Sequence, residues 1–200
     1  LKMKTYKKII ILLVIAALSY LYATQSWPEA IYDVNYDTSS TLPIMVNDNA
    51  ASQDFSCPRN GLTGLRVRFA TMSRASYGSY TWSVQDIASG AEVASGSIDP
   101  SAFSRSGDYK ITFNEISDSA GHTYRFTAKA NGVAEDQSLS LYVSNPIRNA
   151  GQVLYNGEAK TGCIMLKQTI HYFNVETFIV CIGLLLYLVV FIQYMNRLFH

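Results

Sequence analysis

Histidine and cysteine are scarce in this chain, with three of each in 200 residues. His122, His171 and His200 are scattered, and no pair of them stands at metal-ligand spacing, which argues against a zinc centre. No excess of basic residues runs along the middle of the chain. Residues 24–174 carry eleven Lys and Arg against fourteen Asp and Glu, so the electrostatic footprint that nucleic acid requires is missing. The chain has no GxSxG, HExxH, Walker or GxGxxG motif, and nothing in the pattern points to a metal or another cofactor. Ser117-Asp118-Ser119 has no histidine at a defined partner position and reads as a polar turn capped by its own side chains. His122, between Gly121 and Thr123, reads as a solvated turn residue. Asp86, Asp99, Asp108 and Asp118 fall near strand ends without the regular spacing of a calcium loop. An enzyme is therefore not expected.

Apolar residues are abundant, at 48% of the chain, and they concentrate at its ends. From Ile9 to Tyr22 the sequence is uncharged, and Lys2, Lys4, Lys7 and Lys8 precede it. A cleaved signal peptide needs small residues just before its cut, whereas Ala23 follows Leu21 and Tyr22. The expectation is an uncleaved transmembrane helix over 9–23. A second apolar run, 175–194, holds one acid near its start and no polar stripe, as a helix crossing a ~30 Å hydrocarbon layer requires. Lysines before the first span predict cytoplasmic tails at 1–8 and 195–200 and a middle exposed outside a bacterial inner membrane.

The middle shows period-two alternation rather than helical periodicity. Leu65, Val67 and Phe69 alternate with Arg66 and Arg68. The same alternation marks Tyr80-Trp82-Val84, Tyr109-Ile111-Phe113, Tyr124-Phe126-Ala128 and Leu139-Leu141-Val143. Turn signals separate these runs: Arg59-Asn60-Gly61, Ser89-Gly90, Asp99-Pro100, Ser106-Gly107-Asp108, Ala120-Gly121 and Asn131-Gly132. Short strands at this spacing predict an all-β sandwich over 50–170, joined to the first helix by a linker over 24–49. Tyr142 falls out of phase with its apolar neighbours, and Tyr77 lies in a Ser-Tyr-Gly turn. With Arg66 and Arg68 on the polar face of their strand, they are the candidate recognition residues.

The stretches Gln53–Cys57, Gly61–Thr71, Thr81–Asp86, Ser89–Val93, Phe113–Tyr124 and Leu154–Glu158, with a last strand from Cys163 to Lys167, resemble an extracytoplasmic module. It is the sandwich module of bacterial multi-spanning membrane proteins of the surface-polysaccharide glycosyltransferase type. The resemblance implies a jelly-roll-like sandwich of carbohydrate-binding type, with a glycan or a multi-spanning membrane protein as partner. These 200 residues hold neither the many spans nor the catalytic domain of those proteins. The expectation is thus a non-catalytic accessory of envelope or surface-polysaccharide assembly, bound to the lipid bilayer. The alternative is an interaction subunit of an envelope transporter or sensor with no sugar affinity. In a jelly roll of that kind the first and last strands lie side by side, which implies a disulfide between Cys57 and Cys163.

Overall fold

A computed structural model describes residues 5–30, 40–73, 77–99, 102–103, 105–144 and 152–199. Lys2, Lys4, Pro100 and His200, and residues 31–39 of the expected linker, lie outside that set. The chain divides into two units, one of residues 1–27 with 171–200 and one of residues 28–170.

The first unit holds two helices, α1 (Thr5–Ala23) and α2 (Val175–Phe199), packed against each other. Ile15, Ser19 and Ala23 recur every fourth residue and form the buried stripe of α1. α1 ends where Thr24 turns back, its Oγ1 donating to the Tyr20 carbonyl at 3.1 Å. α2 begins at an N-cap: Asn174 Oδ1 accepts the Thr177 N–H at 2.9 Å, with Glu176 in the first turn. α2 has a mean hydropathy of 2.7 and the length to cross a membrane; the uncharged part of α1, Ile9–Ala23, is shorter. Ile9, Leu13, Leu21, Ile179, Val180 and Val190 are among the apolar side chains that point away from the helix pair.

The second unit is a sandwich of two antiparallel sheets. Its strands are β1 (Ser26–Ala30), β2 (Ser40–Thr41), β3 (Ala50–Ser56), β4 (Leu62–Ala70), β5 (Tyr80–Asp86) and β6 (Glu92–Ile98). They continue with β7 (Gly107–Ile116), β8 (Thr123–Ala130), β9 (Ser140–Ser144), β10 (Val153–Tyr155), β11 (Glu158–Lys160), β12 (Cys163–Ile164) and β13 (Leu166–His171). One sheet has the order β1-β13-β4-β9-β12, with β2 on β9 and β7 on β4; the other is β11-β10-β3-β8-β5-β6. The alternation seen in sequence becomes two inner faces. Leu65, Val67, Phe69, Ile111 and Leu141 come from one sheet, and Phe55, Tyr80, Val84, Tyr124 and Phe126 from the other, all at most 2% exposed.

Met165 links β12 to β13 across a fork in the first sheet. Its N–H donates to the Tyr142 carbonyl of β9 at 2.9 Å, and its carbonyl accepts the Arg68 N–H of β4 at 3.1 Å. In the second sheet Trp82 lies across β6 at Gly96, where an added Cβ would stand 2.9 Å from the indole Cζ2.

Three expectations change. The stretch read as a linker supplies β1 and β2, and Met45 and Asn47 bridge to Leu139 and Val133. Gly107, expected in a turn, opens β7 instead. Cys57 and Cys163 are buried thiols with no disulfide between them. Their strands are not neighbours: β3, which Cys57 follows, pairs with β8 and β10, while Cys163 pairs with Ser144 of β9 in the opposite sheet. Burial pushes the Cys163 thiol up to about 11, and the Cys57 Sγ donates to the Arg59 carbonyl at 3.1 Å.

Candidate functional site

β7 pairs with β4 along one edge, and beside its first residues the chain after β6 leaves a cleft of about 480 Å³. That volume lies within the range of small-ligand sites. Asp99, Phe103, Arg105, Asp108, Tyr109 and Lys110 supply the chemically distinctive part of its lining. The apolar wall is an aromatic cluster. Phe103 and Tyr109 stack at 5.3 Å between centroids, and Phe69 meets Phe103 edge-on at 5.3 Å. Two polar ties hold the connection in place. The Asp99 N–H donates to Tyr109 Oη at 2.9 Å, and the Thr71 N–H donates to Ser106 Oγ at 3.0 Å.

None of the four sequence candidates lines the cleft, but Arg68 and Tyr77 touch residues that do. Arg68 Nη1 reaches Asp108 Oδ1 at 3.4 Å, and its guanidinium carbon stands 5.7 Å from the centre of the Tyr142 ring. Both ends of the ion pair are about one-third exposed, so its effect is to orient the groups more than to stabilise the fold. Tyr77 meets the cleft wall through Phe103, edge-on at 6.0 Å. Arg66 lies two residues from Arg68 on the same face of β4, in register with Lys110 of β7 and Lys167 of β13. Its Nε is buried and has no hydrogen-bond partner among the described residues. The site thus offers two carboxylates, several cations and half-buried rings, a set suited to binding a polar ligand by hydrogen bonds and stacking.

Sequence reasoning missed Phe103, Asp99 and Arg105, and it placed Tyr109 in the core alone. It also missed a second cluster at the far end of β5. His122 is exposed, as expected of a turn residue, but its Nδ1 lies 2.7 Å from Asp86 Oδ2 and its ring stacks on Tyr124 at 6.1 Å. Asp86 Oδ1 accepts the Ala88 and Ser89 N–H groups. The His122 hydrogen bond, then the Ser89 and Ala88 N–H groups, hold the Asp86 carboxyl below its usual range against the cost of burial. Burial, then the charges of Asp86, Cys57 and Asp118, push Tyr124 up to about 12. Ser119 is fully buried; its Oγ donates to the Arg59 carbonyl at 3.0 Å and accepts the Leu62 N–H at 3.2 Å, a fastening between two loops. The described side chains form no group of three His, Cys, Asp or Glu able to hold a metal ion. Among known proteins, no family model matches the chain and no curated protein matches it in sequence.

Proposed function

We propose that this chain is a non-catalytic, membrane-anchored accessory protein of bacterial envelope or surface-polysaccharide assembly, whose jelly-roll-like sandwich recognises a glycan. In this reading α1 and α2 both cross the inner membrane, the two termini face the cytoplasm, and the sandwich faces outward. The lysines before α1 and the apolar perimeter of both helices support that topology. A multi-spanning membrane partner would then handle the polymer that the sandwich holds.

The observation that carries the glycan reading is the cleft beside β7. Saccharides are recognised by planar hydrogen-bonding groups together with aromatic rings, and Asp99, Arg105, Asp108 and Tyr109 place both in one concavity. The full chain in nanodiscs, applied to a glycan array, should retain a defined set of glycans. Arg105→Ala, at an exposed cleft position, should weaken that retention. If no glycan is retained while a multi-spanning protein co-purifies, the interaction-subunit reading replaces this one.

A further inference from the structure

Outside the cleft, the outer face of the first sheet carries a row of cations. Lys110 of β7, Arg66 of β4 and Lys167 of β13 are successive cross-strand partners, so three basic residues stand on three adjacent strands at one level. At the ~4.8 Å spacing of neighbouring strands the row extends about 10 Å. Like charges directly opposite one another destabilise a sheet, so Lys110 against Arg66 works against the fold. Arg66, at its centre, has a buried Nε without a hydrogen-bond partner, and no ion pair forms to it among the described residues. Asp108, the acid next to Lys110 on this face of β7, is engaged with Arg68 one register away. Lys110 also lines the cleft, so the row and the concavity are continuous.

We infer that the glycan is an anionic polysaccharide, bearing carboxylate or phosphate groups along its length, and that it runs from the cleft across the Lys110–Arg66–Lys167 row. This rests on the glycan reading above and specifies its ligand. Three features select a hydrated polymer over a bilayer surface. The cations lie in a line across the strands, matching charges repeated along a chain. On β4 and β7 the outward side chains beside them, Asp108, Thr112 and Arg68, are polar. Arg66 presents a planar guanidinium that accepts a carboxylate or phosphate in two-pronged fashion. The ligand would supply an anion to Arg66, which has none paired to it among the described residues.

The test uses the full chain in nanodiscs of zwitterionic lipid, with polygalacturonate as the anionic probe and dextran as the neutral one. Polygalacturonate should bind and dextran should not, and 1 M salt should weaken binding strongly through screening. Lys110→Gln, at an exposed position, and Arg66→Gln should each reduce affinity at least about tenfold, the effect of losing a charge-assisted hydrogen bond. The unliganded melting temperature of each variant, equal to or above that of the wild type, separates this from misfolding. Dextran binding as well as polygalacturonate, with the variants unchanged, overturns the anionic ligand but leaves the glycan reading intact. Phosphatidylglycerol vesicles binding as tightly as polygalacturonate would make the row a lipid contact and overturn the polysaccharide. Absence of binding to any saccharide ends both readings.

Discussion

Replacing Tyr80 with phenylalanine removes one oxygen from the middle of the sandwich and leaves the rest of the side chain in place. That oxygen is a junction. It accepts the Leu139 N–H at 2.7 Å and lies 3.3 Å from the carbonyls of both Met45 and Gln137. Tyr80 belongs to β5 of one sheet, whereas Leu139 leads into β9 of the other and bridges to Met45. Both Tyr80 and Leu139 are fully buried, so water cannot replace the lost partner. An unsatisfied buried N–H costs about 1–3 kcal/mol, and the ring's own packing is unchanged. For a domain near 150 residues this lowers the melting temperature by roughly 2–12 °C. Near-UV circular dichroism of the full chain in detergent, with Thr81→Val on the exposed face as control, measures it. A Tyr80→Phe melting temperature equal to that of the control would show that the hydroxyl does not join the sheets.

Other consequences follow from neighbouring contacts. Gly96→Ala drives a Cβ against the Trp82 indole and should cost about 1–3 kcal/mol in urea unfolding, with a shift in tryptophan emission. Asp86, held below its ordinary range when folded, contributes stability that is present above about pH 4 and is lost as the pH falls through its lowered value. His122→Ala should therefore flatten the acid limb of a plot of unfolding midpoint against pH. Cys163, pushed up to about 11 by burial, should resist maleimide at pH 7 in the native protein. Cys57 and Cys163 should both alkylate after denaturation without reductant, and a linked peptide pair in mass spectrometry would contradict the separation of their strands.

The sandwich was legible wherever strands alternate large apolar and polar residues. Leu65, Val67 and Phe69 turned inward with Arg66 and Arg68 outward, as period two dictates. Asn131-Gly132 likewise ends β8, with Gly132 at a φ of 61° that favours glycine. β6 was not legible, because Glu92–Ile98 is mostly small and polar; only its pairing with β5 makes it a strand. The Asp86–His122 pair spans 36 residues and arises because β5 and β8 place Asp86 opposite Tyr124. The cleft depends on Phe103 reaching Phe69 and Tyr109 from an irregular connection, which no local pattern announces. Arg68 and Tyr142 were each singled out for facing away from the core. Their contact follows from the fork at Met165, where β9 meets β4. The disulfide failed for a related reason: it assumed that the strands at Cys57 and Cys163 are neighbours, and β3 and β12 lie in different sheets.

The proposed role requires the sandwich to face outward from the cytoplasmic membrane. Substituted-cysteine labelling of intact cells with a membrane-impermeant maleimide tests this most directly, using Ser97→Cys on the exposed face of β6 and Asn196→Cys near the end of α2. The native thiols give little background, since Cys57 and Cys163 are buried and Cys181 lies within the apolar helix. Labelling at position 97 with protection at 196 until the cells are permeabilised is the predicted result. Labelling at 196 alone, or protection of 97 in intact cells, would place the sandwich on the cytoplasmic side and contradict the proposed role.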